Sequence, residues 1–312
     1  MTDARGASFV ETREYRRFCE FCDACRRNRY IGLCCGPPGV GKTLSARRYA
    51  DWDRVASADP FAGRAAFRVD EVPGNGCVLY TASVVSSPRR IEEGIAGLRR
   101  KLRELILQAI RAEAEPGIAA ARRAFESERD RPIAFQEWLA GRPERLRQAE
   151  AAAFEAALDL GARSREVGDP TELLLVDEVD WLKMTGLEQL RAIFDAGGIG
   201  LVLIGMPGFE RRLARYAQLY SRIGFVHEFR PLAGLEVRAL LASWRPAGVR
   251  LPEDLLADVE GVAAIIRITG GNFRLLDRLL TQVGRILELN GLDVVTREVV
   301  EAAREVLVIG AA

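Results

Sequence analysis

The segment from Gly36 to Thr43, Gly-Pro-Pro-Gly-Val-Gly-Lys-Thr, constrains the fold of this chain more than any other part of the sequence. It fits the pattern G-x-x-x-x-G-K-[S/T], in which glycines let backbone N–H groups curve around phosphate oxygens. The apolar run 30–35 before it predicts a buried strand. The stretch 44–50 after it predicts a helix, whose N-terminus adds partial positive charge. A strand, a glycine loop and a helix in this order predict a phosphate-binding loop in an α/β domain.

The loop assigns roles to individual residues. Lys42 is expected to reach the β- and γ-phosphates, and the Thr43 hydroxyl is expected to bind Mg²⁺. Because only three of the 45 basic residues are lysines, a lysine at this position by chance would be rare. ATP and Mg²⁺ are the expected cofactors. The predicted nucleotide-binding residues are Gly36, Pro37, Pro38, Gly39, Val40, Gly41, Lys42, Thr43 and Leu44.

Length and charge limit the remaining possibilities. A chain of 312 residues suits about two domains. The net charge of +1 gives no overall signal for nucleic acid, so any DNA-binding surface must be local. No apolar run approaches the roughly 20 residues of a membrane span, and the N-terminus carries no secretory signal. We therefore expect a cytoplasmic protein with no membrane partner.

The pattern of apolar runs predicts a mostly parallel five-stranded sheet with helices on both faces. After the strand at 30–35, further buried strands are predicted at 77–82, 173–176, 199–204 and 225–229. Beyond Pro231 only helices are predicted, and they cover 234–244, 252–268, 272–289 and 296–307. The sequence thus predicts an α/β core over 1–230 and a small all-helical lid over 231–312.

Residues 88–165 are rich in Ala, Arg and Glu and are predicted to be almost entirely helical. Breaks are expected at Pro116-Gly117, at Pro132 and at 141–143. An α/β domain needs a single crossover helix here, so about half of this stretch is predicted to be an insertion.

All six cysteines lie in the first quarter of the chain, and Cys19, Cys22 and Cys25 are spaced three apart. Within the helix predicted at 11–28 these three cysteines share the apolar face, which favours buried core cysteines. A zinc site or a disulfide is the alternative. Structural zinc usually needs a second close pair of ligands, which the sequence lacks, and the only histidine, His227, is far away.

A second chemical signal is the apolar run 173–176 followed by Asp177 and Glu178. Asp177 at the carboxyl end of a strand is expected to hold Mg²⁺ together with Thr43. Glu178 is expected to act as the general base on the water that attacks the γ-phosphate. An acidic pair of this kind, combined with the phosphate-binding loop, points to an ATPase.

Two arginines complete the predicted catalytic set. Arg222 stands just before the fifth strand, where it can reach the γ-phosphate in a neighbouring subunit; Arg215 is its competitor for this role. Arg274 opens the third helix of the lid, from which it is expected to approach the phosphates and to report nucleotide state through the angle of the lid.

Together these segments resemble the AAA+ ATPases and, among them, the transposition regulators related to phage Mu B protein, TniB and TnsC. The resemblance covers about residues 9–84 and 166–307. One departure is Met206, which stands where AAA+ proteins usually carry a polar sensor residue and indicates slow hydrolysis. The resemblance rests on the phosphate-binding loop and on the runs 9–12, 176–182, 199–205, 220–223 and 271–276.

The resemblance implies an ATPase that binds double-stranded target DNA without sequence preference. It also implies a homo-oligomer, a ring or a helical filament, that recruits or activates a DDE-type transposase. Arg89, Arg90 and Lys183 are the candidate DNA contacts, because their places face the central channel in AAA+ assemblies. Two alternatives stay open: a helicase-loading or replication-initiator ATPase, and a signalling or secretion switch in which the 88–165 helices bind a protein partner.

Overall fold

The structure is a computed structural model that describes residues 9–63, 65–71, 76–139, 141, 143–243, 259–292 and 294–307. Its sheet has five parallel strands in the order β2-β3-β4-β1-β5. The predicted α/β fold is confirmed. The strands are β1 (Ile31–Cys35), β2 (Cys77–Thr81), β3 (Leu173–Asp177), β4 (Gly200–Gly205) and β5 (Ile223–Glu228).

Helices cover both faces of the sheet and form the C-terminal part of the chain. Those of the N-terminal part are α1 (Arg13–Asn28), α2 (Lys42–Tyr49), α3 (Trp52–Ser57), α4 (Pro88–Asp130), α5 (Phe135–Leu139), α6 (Glu144–Glu166), α7 (Met184–Asp195), α8 (Phe209–Leu213) and α9 (Ala217–Tyr220). After β5 follow α10 (Gly234–Ser243), α11 (Val259–Thr269), α12 (Phe273–Asn290) and α13 (Arg297–Glu305).

The order of the strands explains where a ligand can bind. Every residue of β1, β3 and β4 is buried, as expected for parallel strands covered on both faces. Because β4 lies between β1 and β3, the carboxyl ends of these three strands meet at one edge of the sheet. Open α/β sheets bind ligands at this edge.

Helix α1 packs tightly on β1 through its cysteine face. Phe18, Cys22 and Cys25 are completely buried. A Cβ atom added at Gly32 would lie 2.6 Å from the Phe21 ring and would also collide with the Cys25 sulfur. The helix therefore needs a glycine at this position of the strand.

The structure buries Cys22 and Cys25, as predicted for core cysteines, whereas Cys19 is half-buried. All six cysteines are free thiols, and burial raises the pKa of Cys25 to about 12. Across the described ranges, no group of three or more histidine, cysteine or acidic side chains could hold a metal ion. His227 is buried in β5, and its burial lowers the pKa of the imidazole to about 4, so it is neutral at pH 7.

Helix α4 serves both as the crossover helix and as one arm of a projecting hairpin. Its first turns bury Ile91 and Ile95 in the core of the sheet domain. Farther along, α4 pairs with α6; Arg163 bonds Glu113 at 2.9 Å, and Arg145 bonds Glu128 at 2.6 Å. These pairs show that the two helices run antiparallel, with the loop around α5 at the tip.

One prediction for this stretch is wrong. A break was expected at Pro116-Gly117, but α4 continues through both residues as a single helix of 43 residues. A proline inside a helix removes one hydrogen bond and crowds the preceding turn. Here the adjacent α6 packs alongside α4. We attribute the continuity of α4 to this packing, which a local pattern of turn residues does not reveal.

The C-terminal helices pack around a second hydrophobic core. Val237, Leu276, Leu280 and Val300 are fully buried in it, and Val10 of the N-terminal segment packs against it. The predicted lid helices are present where the structure describes them; residue 244 and residues 252–258 of the predicted helices lie outside the described ranges. The boundary between core and lid at 230–231 stays a prediction. None of the described helices is long and apolar enough to cross a membrane.

Two glycine-to-alanine substitutions should change stability in opposite directions. Gly32→Ala should lower the free energy of unfolding by about 1–3 kcal/mol, because the new methyl group collides with α1. Gly97→Ala, in a helix and with open space around it, should raise that free energy by up to about 1 kcal/mol. Urea unfolding measures both. A Gly32→Ala protein as stable as the wild type would contradict the packing of α1 on β1.

Candidate nucleotide-binding site

The predicted phosphate-binding loop connects β1 to α2 at the ligand-binding edge of the sheet. Gly39 and Gly41 have φ angles of +82° and +107°, a backbone region that favours glycine. Helix α2 begins directly after them at Lys42. The glycines therefore allow the sharp turn that aims this helix N-terminus at the site, where it favours an anion.

Lys42 is held over the loop by the loop's own carbonyls. Its Nζ donates hydrogen bonds to the oxygens of Gly36, at 2.6 Å, and Pro37, at 2.8 Å. Burial lowers the pKa of Lys42, while nearby carboxylates, among them Asp177, act in the opposite direction. The ammonium group is thus positioned to meet a phosphate at the mouth of the loop.

Thr43 and Asp177 meet although 134 residues separate them. The Thr43 Oγ1 donates a hydrogen bond of 2.7 Å to Oδ2 of Asp177, the last residue of β3. Asp177 is almost fully buried. A hydroxyl and a carboxylate are oxygen ligands of the kind that Mg²⁺ prefers, and they stand beside the phosphate-binding loop. This pair fits the predicted metal site.

Glu178 occupies an unusual backbone conformation just past β3. Its φ of 57° lies in the left-handed region, which costs a non-glycine residue on the order of 1 kcal/mol. Its N–H donates to Oδ1 of Asp177 at 2.9 Å, and its side chain is exposed and lines the cavity. This turn presents the two adjacent carboxylates to one site, as the predicted roles require.

The lid contacts the phosphate-binding loop through the beginning of α12. Asn272 caps α12, accepting from the N–H groups of Arg274 and Leu275 at 3.1 and 3.2 Å, and donates through Nδ2 to the Pro38 oxygen at 2.7 Å. The Arg274 N–H also donates to the Gly39 oxygen at 3.1 Å. These contacts give the carbonyls of Pro38 and Gly39 hydrogen-bond partners in the lid.

Lys42, Thr43, Asp177, Glu178 and Arg274 line one cavity of about 850 Å³, a size typical of sites for small ligands. Its polar lining combines the loop with the predicted carboxylates and Arg274. Val40 points away and is buried in the core. Four apolar side chains add surface on which a nucleobase and sugar can pack: Leu44, Trp181, Met206 and Phe273.

Sequence reasoning missed the roles of Asp180 and Asn272. Met206 lines the cavity at the end of β4, and its N–H donates to Oδ2 of Asp180 at 2.8 Å. Arg212 in turn donates to the Asp180 carbonyl at 2.9 Å. The available signal for Asp180 was its place two residues after Glu178. The available signal for Asn272 was its place just before a helix. Asp180 thus brings a carboxylate to the position that lacks a polar side chain.

Arg222 lies far from the phosphate-binding loop of its own chain. Its carbonyl accepts from the N–H of Ile31 at 3.3 Å, at the first residue of β1, whereas the loop begins after the last residue of that strand. Five strand residues at about 3.3 Å each separate the two places by roughly 16 Å. Arg222 is therefore not brought to the site together with Lys42 and Arg274. Arg215 is exposed in the turn between α8 and α9.

The three candidate DNA contacts lie at the beginnings of two adjacent helices. Arg89 and Arg90 are in the first turn of α4, and Lys183 is the residue before α7. A Cβ atom at Gly186 of α7 would lie 3.0 Å from Ile91 of α4, so these helix beginnings pack side by side. Arg89 is 86% exposed and pairs with Glu93 at 2.8 Å. The structure brings the candidates to one edge, where Lys183 stands two residues after Trp181 of the cavity.

Comparison with known proteins gives relatives for nearly the whole chain. It is 36% identical over 310 residues to a "Potential ATP-binding protein" of Staphylococcus aureus, with 98% of each chain covered. It is also 28% identical over 143 residues to the Mu-like prophage FluMu DNA transposition protein B of Haemophilus influenzae. That match covers 39% of this chain and 47% of the Haemophilus protein.

Among solved structures, the RuvB Holliday junction branch migration motor of Thermotoga maritima resembles this chain, with a TM-score of 0.51 and 14% identity. The match covers 97% of this chain and 71% of RuvB, and it supports the fold. A family model described as an AAA domain matches residues 25–213, more than half of the chain. The protein therefore belongs to the AAA domain family of P-loop ATPases.

Proposed function

We propose that this protein is an ATP-dependent regulator of DNA transposition. In this proposal it binds duplex DNA without sequence preference when ATP is bound, oligomerises on that DNA, and recruits or activates a DDE-type transposase in the cytoplasm. The observation that carries the proposal is the basic edge formed by Arg89, Arg90 and Lys183, in which Lys183 stands two residues after Trp181 of the nucleotide cavity. The partial similarity to a Mu-like transposition protein B supports it.

The residues of the site fit ATP hydrolysis. Lys42 and the loop N–H groups hold the phosphates, and Arg274 adds a positive charge from the lid. Thr43 and Asp177 would hold Mg²⁺, which neutralises charge that builds on the phosphates during the reaction. Glu178 accepts the proton of the attacking water. Met206 offers no polar side chain to orient that water, and the nearby Oδ2 of Asp180 already accepts from the Met206 N–H, so we expect slow hydrolysis.

The position of Arg222 supports a homo-oligomer. Because it is roughly 16 Å from the loop of its own chain, it can act on a γ-phosphate only in a neighbouring subunit. Arginines supplied in this way can contribute on the order of 10³–10⁵ in rate. We therefore assign the nucleotide site to the interface between successive subunits of a ring or helical filament.

DNA binding would rest on a few local charges repeated around the oligomer. The basic edge also carries the N-terminal ends of α4 and α7, which attract phosphate. One or two phosphate contacts per subunit are weak, but an ATP-locked oligomer would add them together. In this proposal, a chain of net charge +1 binds DNA only when ATP is bound.

One observation keeps the protein-switch alternative in view. Phe154 and Leu158 lie four residues apart on α6 and are 64% and 49% exposed. They form an apolar strip on the projecting hairpin that suits a protein partner. In the transposition proposal this partner is the transposase, whereas a signalling switch would use the strip and bind no DNA.

Two substitutions separate nucleotide binding from hydrolysis. Lys42→Ala should abolish ATP binding, because the loop loses its positive charge. Glu178→Gln should bind ATP like the wild type but lose hydrolysis, because it keeps the shape of the side chain and loses the base. Nucleotide affinity and phosphate release measure both. The control is Lys101→Ala, because this lysine bonds the Ala56 carbonyl of α3 and does not line the cavity. Hydrolysis by Glu178→Gln at the wild-type rate would show that the base is assigned wrongly.

A double substitution tests the DNA proposal. Arg89→Ala with Arg90→Ala should weaken binding to all duplex sequences alike and leave ATP affinity intact. Each lost phosphate contact should reduce the salt dependence of binding by a slope of about 0.9. The matched control is Arg122→Ala with Arg123→Ala, another adjacent pair on α4 but on the hairpin. ATP-dependent binding at several salt concentrations is the measurement.

The wild type decides between the candidate functions in the same assay. If the ATP-loaded protein binds no duplex at low salt, the DNA-regulator proposal is wrong and the protein-switch alternative takes its place. If DNA binding is unchanged by the Arg89 and Arg90 substitutions but lost in the control pair, the contact surface lies on the hairpin.

A further inference from the structure

We propose that Asp195 is a positioning residue that fixes the Arg222 guanidinium for the nucleotide of the neighbouring subunit, and that α7 connects this arginine to its own subunit's nucleotide site. The inference rests on the proposed function, because it takes Arg222 as the arginine supplied in trans. Asp195 is the last residue of α7, and sequence patterns do not single it out.

The contact between the two side chains is a two-pronged ion pair. Arg222 donates from Nε to Oδ1 of Asp195 at 2.6 Å and from Nη2 to Oδ2 at 3.0 Å. Its Nη1 donates to the Gln218 carbonyl, one turn earlier in the chain. Paired contacts of this kind fix the plane of a guanidinium and not only its distance. Arg222 is thus held in one orientation although its side chain is 34% exposed.

The pairing leaves the phosphate-binding edge of the arginine available. A guanidinium has five N–H groups, and the described residues accept from three of them. One N–H on each terminal nitrogen remains, and these two donors can bond phosphate oxygens. Asp195 therefore occupies the Nε side of the guanidinium and leaves two N–H donors for a ligand.

The backbone of Arg222 is held as firmly as its side chain. Its N–H donates to the Leu219 carbonyl at 3.1 Å, and its carbonyl accepts from Ile31 of β1. Leu219 is buried in the core of the sheet domain. The arginine is consequently mounted on a rigid base, and Asp195 determines the direction of its flexible end.

Arg191 makes the effect of removing Asp195 predictable. It bonds Oδ2 of Asp195 at 2.6 Å and Glu188 at 2.7 Å. Two guanidinium groups therefore share the Asp195 carboxylate, and the hydrogen bond from Arg222 is the main reason that the pKa of Asp195 is lowered. Without the carboxylate charge, Arg191 and Arg222 face each other with like charge, which displaces Arg222.

Helix α7 joins this ion pair to the nucleotide cavity of the same subunit. It begins shortly after Glu178 and Trp181, which line the cavity, and it ends at Asp195. Leu187 and Leu190 are buried and hold the helix on the core. Its 12 residues span about 18 Å. A change at the start of α7 when ATP binds would therefore move Asp195 and, with it, the arginine offered to the next subunit.

Three variants of the full chain test the inference: Asp195→Asn, Arg222→Ala and the control Glu188→Gln, which removes the other carboxylate that pairs with Arg191. ATP hydrolysis is measured with duplex DNA. Asp195→Asn should lower kcat at least about tenfold, a part of the 10³–10⁵ that such an arginine can contribute, and leave KM for ATP within about twofold. Glu188→Gln should hydrolyse ATP like the wild type.

Mixing experiments show whether the Asp195→Asn subunit is merely misfolded. Glu178→Gln subunits do not hydrolyse ATP themselves, but they carry an intact Arg222–Asp195 pair. Mixed with Asp195→Asn subunits, whose own nucleotide sites are intact, they should raise hydrolysis above the rate that either variant reaches alone. Arg222→Ala subunits should be restored in the same way, and a misfolded subunit would not be.

The outcomes separate this inference from the proposed function. Full activity of pure Arg222→Ala would show that no arginine is supplied in trans by this residue, and the proposed oligomeric site would be wrong. Loss of activity in Arg222→Ala with wild-type activity in Asp195→Asn would overturn the positioning role alone. Faster hydrolysis by Asp195→Asn would also overturn it, because Asp195 would then restrain the arginine.

Discussion

The 2.7 Å hydrogen bond between Thr43 and Asp177 is the contact on which the rest of the site depends. It joins the phosphate-binding loop after β1 to the acidic end of β3. The two strands do not pair with each other, and β4 lies between them. Parallel pairing brings the two carboxyl ends to one edge, and the strand order leaves a single strand between them. The buried strands therefore position a hydroxyl and a carboxylate side by side.

The lid is a third part of the chain that contacts the phosphate-binding loop. A loop that wraps phosphates must point its N–H groups inward, so its carbonyls must face outward and find other partners. Asn272 and the first turn of α12 supply those partners for Pro38 and Gly39. The same helix carries Arg274 into the cavity. Lid position and the shape of the phosphate-binding loop are thereby physically linked.

Much of the fold and of the site could be predicted from the sequence, because short local patterns of residues indicate them. Apolar runs of four to six residues marked the strands, and the glycine loop marked the site with Lys42 and Thr43. The meeting of Thr43 and Asp177 was predictable because each belongs to a recognisable motif, but other contacts between distant residues were not, since no periodicity encodes them. Asp180 with Met206, Asn272 with Pro38 and Asp195 with Arg222 became visible only in the folded chain. The expected break at Pro116 was wrong for the same reason: a neighbouring helix, α6, packs along α4 there.

The central claim is that the nucleotide site is completed by a second copy of the chain. Electron microscopy of the wild-type protein with ATPγS and duplex DNA tests this directly. The account predicts a ring or filament in which Arg222 of each subunit lies within hydrogen-bond distance, about 3 Å, of the γ-phosphate in its neighbour. Nucleotide-bound monomers, or an oligomer in which Arg222 faces solvent, would contradict it.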